Sequence, residues 1–221
     1  MGIWRVKSRN YEPASQRCRF FICKESKVDN MERLYHGSFF PNIHKLDAAS
    51  KKHDSEEEKV VYMTTNRAYA LFFWDAEHNG IKKWVTSWIR DGIVGYHEQF
   101  SGQLKSFYDG VSGFIYYCSK NNNWIPASKP DTWMCNHDVE IEGCEKVENV
   151  YEEIIRYETE GKVHIVRFET MTPEEQDKTV QMIADLIIKR NYLLCPCEEE
   201  AAFLKSHNKL AWERAEKMFN S

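Results

Sequence analysis

The sequence has 221 residues, of which 42 % are hydrophobic and 29 % charged, and this composition excludes a disordered or fibrous chain. Its formal net charge of −4 argues against a general nucleic-acid binder, which needs a basic face for phosphates, although it leaves room for a local basic groove. No segment approaches the roughly 18 consecutive apolar residues of a membrane-spanning helix, so we expect no membrane association.

The N-terminal segment differs in charge from the rest of the chain. Residues 1–30 contain seven Lys/Arg and three Asp/Glu, a local charge of +4, so the remaining residues carry −8. The stretch "MGIWRVKSRNYEP" lacks the apolar run of a secretory signal, and the seven cysteines have no regular spacing. We therefore expect free thiols in a reducing cytoplasm, and a basic extension over 1–30.

In the first half of the chain, short strands alternate with polar loops. The stretch "ERLYHGS" (32–38) predicts a buried strand that runs into a Gly turn, and "VVYMTT" (60–65) predicts a second strand. Residues 66–74 have helical spacing, with Asn66 as the N-cap. The segments 82–89 and 92–98 are typical of two strands joined at "RDG" in a hairpin.

Helices become more frequent towards the C-terminus. We expect strands at "SGFIYYC", "DVEIEG" and "GKVHIVRFE", a short helix at "QLKSFYDG", and a helix over 147–161 that ends at Gly161. A further helix begins at Thr172–Pro173, and a last one runs from about Glu198 to Phe219. The pattern predicts an α+β protein with a domain over 31–170 and a helical C-terminal extension over 171–221.

The stretches "LYHGS" and "VVYMTTNRAYALFF" carry a family resemblance. A His beside Gly at a strand end, then a strand with Tyr, two Thr and a short helix, resembles the ADP-ribosyltransferase superfamily. The likeness is to its His-Tyr-acidic branch, which includes poly(ADP-ribose) polymerases, diphtheria-type toxins and several small bacterial families. It covers about residues 33 to 151. The resemblance implies split, strongly bent antiparallel sheets around a cleft, with flanking helices.

The resemblance also implies roles for individual residues. His36 would hydrogen-bond a ribose of NAD, and Gly37, together with Ser38, would line the cofactor site. Gly37 would present its backbone to the nicotinamide amide, because only a residue without Cβ lets the backbone approach so closely. Tyr62 would stack on the nicotinamide ring, and Phe73 would form a second aromatic wall. The alternative is that His36 is a structural histidine and that Tyr62 and Phe73 are ordinary core aromatics.

The chemistry of the family also needs a carboxylate. Cleavage of the N-glycosidic bond of NAD builds an oxocarbenium-like cation on the ribose, which a nearby carboxylate stabilises. In the family this residue stands at the start of a late strand, and "NHDVEIEGCEKVENVY" fits that context. Asp138 matches the offset best, and Glu140 lies on the same strand face, with Glu142 as a third candidate. An Asp where the family usually has Glu leaves open a domain that binds nucleotide without catalysis.

Three functions therefore remain open from the sequence. The first is transfer of ADP-ribose from NAD to a protein, nucleic acid or small molecule, or hydrolysis of NAD, with NAD as substrate and no metal. The second is a catalytically silent module that binds NAD or ADP-ribose. The third is an interaction protein whose helical tail docks a partner. The sequence does not name the acceptor or the oligomeric state.

Other motifs indicate less. His97 and Glu98 are adjacent on a predicted strand, so their side chains point to opposite faces and do not form a catalytic pair. The stretch "CPC" at 195–197, followed by His207, lacks the spacing of four zinc ligands, and a turn between helices is the simpler interpretation. The chain contains neither a P-loop motif nor a Rossmann glycine motif.

Overall fold

The structure is a computed structural model, and it describes residues 32–52, 55–72, 77–78, 81–82, 87–196 and 199–220. Residues 1–30, which we expected to form a basic extension, lie outside the described residues. The described chain is a mixed α+β structure in which antiparallel sheets dominate the first two thirds. Its strands are β1 (Arg33–Ser38), β2 (Lys45–Leu46), β3 (Ser50–Lys52), β4 (Ser55–Thr64), β5 (Glu77–His78), β6 (Ile81–Lys82), β7 (Ser87–Arg90), β8 (Ile93–His97), β9 (Gly113–Ser119), β10 (Ile125–Pro126), β11 (Thr132–Cys135), β12 (Val139–Glu140), β13 (Gly143–Val147) and β14 (Val163–Val166).

The largest sheet contains seven strands. Six of them follow the order β10-β11-β4-β1-β9-β13, and β3 pairs with β4 outside that path. Every pairing in this sheet is antiparallel, as we expected. The strands that carry "YHGS" and "VVYMT" are therefore direct neighbours in the middle of one sheet.

A smaller sheet has the order β14-β8-β7. The predicted hairpin is confirmed: Asp91 and Gly92 have φ angles of 53° and 75°, which a two-residue turn between antiparallel strands requires. One pairing in the described sheets is parallel: β14 runs alongside β8 with Val163 opposite Val94. A parallel neighbour needs a crossover connection, and β14 enters the sheet directly after a helix. Two short pairs, β12 with β2 and β5 with β6, complete the sheets.

The helices begin and end largely where local signals predict. The helix over 150–159 starts after the N-cap Asn149 and is followed by Gly161 at φ 73°. The helix over 173–189 starts with a reciprocal capping box between Thr172 and Glu175. The described helices are α1 (Arg67–Ala70), α2 (Gln103–Tyr108), α3 (Val150–Thr159), α4 (Pro173–Lys189), α5 (Glu199–His207) and α6 (Lys209–Phe219).

Two helices differ from expectation. The last helix was expected to be continuous, but Asn208 has φ −117° and ψ 52°, and this non-helical residue separates α5 from α6. The helix after Asn66 was expected to reach Trp74, yet α1 ends at Ala70, and Trp74 lies outside the described residues. No helix in the described ranges is long and apolar enough to cross a membrane.

Three apolar clusters hold these elements together. One fills the space between the large sheet, the small sheet, α1 and α3, and a second lies on the other face of the large sheet. The third consists mainly of residues of α4, α5 and α6, and Phe100 from the end of the small sheet is part of it. The C-terminal helices therefore pack on the strand-rich body as well as on each other.

Candidate functional site

The two central strands of the large sheet bring the predicted motifs together. Tyr35 on β1 is paired with Thr64 on β4, and this is the one residue pair in their register. By contrast, β1 matches β9 over six pairs, from Arg33 opposite Ser119 to Ser38 opposite Phe114. In the described residues the backbone pairing between β1 and β4 thus stops before His36. Beyond that point the two strands are joined by a side-chain hydrogen bond.

His36 makes that contact. Its Nδ1 atom lies 3.4 Å from the backbone oxygen of Tyr62, and a carbonyl only accepts, so Nδ1 must be the donor. The side chain is half-buried, and burial lowers the pKa of His36, while the hydrogen bond to the carbonyl acts in the opposite, raising direction. The neutral ring with its proton on Nδ1 is therefore favoured, and Nε2 is left as an acceptor.

The side chains of His36 and Tyr62 lie on opposite faces of the sheet. Paired residues on antiparallel strands share a face, so Thr64 and Tyr62 lie on the face of Tyr35 and Gly37. Alternation along β1 then turns His36 to the other face. A ligand that contacts both rings would have to reach both faces of the sheet near the point where β1 and β4 stop pairing.

The structure shows the contacts of Ser38, whereas the predicted second aromatic wall is not described. The Ser38 hydroxyl oxygen accepts a hydrogen bond from the backbone N–H of Phe40 at 3.1 Å, so it stabilises the turn after β1. Phe73 lies outside the described residues, and its role remains a prediction. The preceding Phe72 is fully buried and stacks on Tyr96 with ring centroids 5.6 Å apart, which makes it a core residue.

Asp138 and Glu140 are on the small β12–β2 pair, outside the large sheet. The Asp138 carboxylate bonds the Lys45 ammonium at 2.8 Å and the backbone N–H of Ala48 at 3.0 Å. The hydrogen bond from Lys45 is the main reason that the pKa of Asp138 is below its usual value. Both carboxylates are exposed, and Val139 between them is buried. These contacts are those of an ion pair that fixes a turn, and the catalytic role of either residue remains a prediction.

Glu142, the third acidic candidate, also makes hydrogen bonds within the fold. The Glu142 carboxylate accepts hydrogen bonds from the backbone N–H and the hydroxyl of Ser119, both at 2.9 Å. These bonds tie the segment before β13 to the end of β9. Glu142 therefore has a clear role in holding two neighbouring strands in place.

The structure adds a carboxylate that we did not single out from the sequence. Asp131 directly precedes β11, the strand paired with the far side of β4. Its backbone oxygen accepts bonds from the Thr65 N–H at 2.9 Å and the Thr64 hydroxyl at 2.7 Å. Its half-buried carboxylate lies 3.5 Å from the Asn66 side-chain nitrogen. Asp131 has φ 55°, so this turn is held in an uncommon conformation directly beside "TTN".

A surface cavity of about 390 Å³ lies on the same side of β4 as Asp131. It is formed by the turn between β10 and β11 together with Thr65, Trp133 and Glu32, and His36 does not line it. The ammonium of Lys129, which lines the cavity, donates to the Tyr69 hydroxyl at 3.2 Å. Burial lowers the pKa of Lys129 and raises that of Tyr69. The cavity therefore adjoins the Asp131 end of the candidate site and not its His36 end.

The helix that follows β4 is fixed by an arginine. Asn66 caps α1 by accepting the Tyr69 N–H at 3.2 Å. Arg67 then binds Glu145 of β13 at 2.7 Å and Glu153 of α3 at 2.9 Å. These charge-assisted bonds connect α1 to both neighbouring elements, so the segment after Tyr62 has a defined position.

The side chains of Glu98 and His207, two further candidates from the sequence, make contacts that stabilise the fold. The buried Glu98 carboxylate accepts the backbone N–H groups of Leu104 at 2.9 Å and Phe168 at 3.2 Å. The His207 ring stacks on Phe203 with centroids 4.3 Å apart, and Cys197 lies outside the described residues. Within the part of the chain that the structure describes, no group of three or more His, Cys, Asp or Glu residues is arranged to bind a metal.

Comparisons with known proteins add no assignment. A scan of the sequence against models of protein families found no match, and searches of curated proteins and of solved structures found none either. The family resemblance therefore depends on the residues of this chain alone.

Proposed function

We propose that this chain is a NAD-dependent ADP-ribosyltransferase, which transfers ADP-ribose from NAD to an acceptor or to water. The observation that carries the proposal is the adjacency of β1 and β4, two motif strands that meet in the middle of one antiparallel sheet. His36 and Tyr62 are 26 positions apart in the sequence, and the imidazole of one contacts the main chain of the other. Adjacent motif strands are what the family resemblance requires.

In the proposed reaction, the bond between the nicotinamide nitrogen and the ribose carbon breaks, and its electron pair leaves with neutral nicotinamide. The ribose carbon becomes cationic, and a lone pair of the acceptor forms the new bond as the acceptor loses a proton to solvent. The neutral His36 ring supplies Nε2 as an acceptor for a ribose hydroxyl. Gly37 supplies its backbone for the nicotinamide amide, and Tyr62, on the same face, supplies an aromatic ring.

For the carboxylate, the geometry favours Asp131 over the residues chosen from the sequence. Asp131 stands at the start of a strand that pairs with the Tyr62 strand, whereas Asp138 belongs to the separate β12–β2 pair. Its carboxylate is half-buried beside Asn66 and has no described cation within ion-pair distance. Such a group is free to stabilise a positive charge that develops on a ligand.

Each alternative function has an observation in its favour. The ion pair between Asp138 and Lys45 favours a silent binding module, because the acidic residue that best matches the family position binds a lysine and not a ligand. A partner-binding role is favoured by Met182, Met218 and Phe219, which are 50 %, 42 % and 52 % exposed on the C-terminal helices. Labelled NAD separates all three functions.

The test uses the full chain with NAD labelled in the adenosine moiety, in buffer and in a cell lysate. Nicotinamide release and label transfer are measured for wild type, for His36→Ala, and for His164→Ala, an exposed histidine on β14, as the matched control. Turnover that His36→Ala loses and His164→Ala keeps supports the transferase. Binding of NAD in calorimetry without turnover supports the silent module, and neither binding nor turnover contradicts both.

A further inference from the structure

The loop after the "YHGS" strand presents an exposed aromatic ring on a fixed backbone. Residues 39–44 connect β1 to β2, and Phe40 in this loop is 53 % exposed, while the preceding Phe39 packs against the core. The Phe40 N–H donates to the Ser38 hydroxyl at 3.1 Å, and its carbonyl accepts from the Tyr116 hydroxyl at 2.7 Å. Both backbone polar groups of an exposed phenylalanine are therefore engaged.

Tyr116 holds both sides of this loop with one hydroxyl. The hydroxyl donates to the Phe40 carbonyl and accepts the Ile43 N–H at 3.3 Å. Asn42 between these contacts has φ 60°, which lets the chain reverse direction. The Tyr116 residue is only 1 % exposed, and its position on β9 is set by the long register with β1. The loop is thus attached to a rigid strand.

The loop lies on the His36 side of the large sheet. Tyr116 is directly opposite His36, so the two side chains share a face, and Tyr62 lies on the other. A ligand that crosses between β1 and β4 would present one end to Tyr62 and the other to the face of His36 and the loop. NAD has a flat ring at each end, and the nicotinamide end is the one proposed for Tyr62.

We propose that Phe40 stacks on the adenine ring of the bound nucleotide, and that Tyr116 is a positioning residue that holds the loop for this contact. This inference rests on the proposed function. A ring whose backbone is already ordered loses little entropy on binding, so the stacking free energy is retained in the affinity. A base stacked on an aromatic ring contributes about tenfold or more to affinity.

The test is calorimetric titration with NAD, AMP and nicotinamide. Phe40→Ala is expected to weaken NAD and AMP about tenfold or more and to leave nicotinamide unchanged, whereas Phe40→Trp retains all three affinities. Phe219→Ala is the matched control, because that ring is 52 % exposed on α6. Equal NAD and AMP affinities of Phe40→Ala and wild type would overturn this inference alone, whereas a wild type that binds none of the ligands would overturn the proposed function with it.

The positioning role has its own readout. Tyr116→Phe removes only the hydroxyl, and it should accelerate hydrogen exchange of the Ile43 amide and weaken NAD and AMP in the same sense as Phe40→Ala. Tyr117→Phe, the neighbouring residue on β9, is the control. Faster exchange with unchanged AMP affinity, in a variant that unfolds cooperatively, would contradict the link between loop and ligand.

Discussion

The Nδ1 atom of His36 lies 3.4 Å from the backbone oxygen of Tyr62, so a side chain of one central strand contacts the main chain of the next. This contact defines the tautomer, because the carbonyl requires a donor. It also occurs where the regular ladder between β1 and β4 has ended after Tyr35 and Thr64. The neutral imidazole is therefore part of the packing of the sheet and a candidate ligand-binding group at the same time.

The stability of the protein should depend on pH through His36. Burial lowers the pKa of His36 in the folded state, while the unfolded chain has the ordinary value of about 6.5. As the pH falls through about 6.5, the unfolded state binds more protons, so the folded state loses stability. We expect wild type to lose unfolding free energy relative to His36→Gln between about pH 7 and pH 5, with a constant difference above that range.

Urea denaturation at several pH values measures this effect. His164→Gln, the same type of substitution at an exposed histidine on β14, is the control. Parallel curves for wild type and His36→Gln would mean that His36 titrates in the folded protein as it does in the unfolded chain.

Two Asp→Asn variants discriminate between the candidate carboxylates. Asp131→Asn keeps the size of the side chain and removes the charge that the proposed mechanism needs in the transition state. It should lower kcat by about 10²-fold, with little change in NAD affinity. Asp138→Asn should change kcat little if its role is the ion pair with Lys45. Nicotinamide release under saturating NAD is the measurement. A larger loss of kcat in Asp138→Asn than in Asp131→Asn would identify Asp138 as the catalytic carboxylate.

Arg67 should contribute to the stability of the fold. Its guanidinium binds Glu145 and Glu153 and also donates to the Tyr157 hydroxyl at 2.5 Å. Arg67→Met leaves the Glu145 carboxylate without its cation and leaves Glu153 with Arg156 alone, so we expect a loss of about 2 kcal/mol of unfolding free energy. This is less than for a fully buried group, because the Glu145 side chain is 40 % exposed.

Chemical denaturation of Arg67→Met and Lys178→Met provides the comparison. Lys178 pairs with Glu174 one turn away on α4, where both side chains are more than two thirds exposed, at 71 % and 78 %. Removal of that surface pair should leave stability within experimental error of wild type. Equal stabilities of the two variants would mean that the Arg67 contacts are weak.

Local signals in the sequence predicted the ends of the helices, whereas the residues that meet at the candidate site depend on pairing between distant strands. Thr172 and Gly161 marked helix ends correctly because capping depends on residues a few positions apart. Asp131 was missed because its significance comes from the pairing of β11 with β4, some 65 positions earlier in the chain. A turn with Pro130 before an acidic residue is too common a pattern to reveal that neighbour.

Strand register explains why the sheet faces of His36 and Tyr62 could not be predicted from the sequence. The two motifs identified β1 and β4 as strands, and those strands are neighbours. Which faces His36 and Tyr62 occupy depends on the register, and a shift of one residue would reverse the answer. The sequence has no signal for this register across a gap of 26 positions, because no tight turn joins the two strands.

Tyr62 offers the most direct test of the ligand assignment. It is half-buried on the face of Gly37, so it is either a stacking ring for nicotinamide or a core aromatic. In the first case the ring matters and the hydroxyl does not. Tyr62→Phe should then bind nicotinamide and NAD like wild type, whereas Tyr62→Ala should weaken both about tenfold or more and leave AMP unchanged.

Calorimetry with the three ligands measures this, and denaturation of the same variants separates the two roles. A core aromatic replaced by alanine would lower unfolding free energy by about 3 kcal/mol or more and leave the affinity of the folded fraction intact. Phe219→Ala is the control, because that ring is 52 % exposed at the end of α6 and should affect neither quantity strongly. Unchanged nicotinamide affinity in Tyr62→Ala would remove Tyr62 from the site. If Tyr62→Ala weakens nicotinamide alone and Phe40→Ala weakens AMP alone, the nicotinamide end of NAD lies at Tyr62 and the adenine end at Phe40.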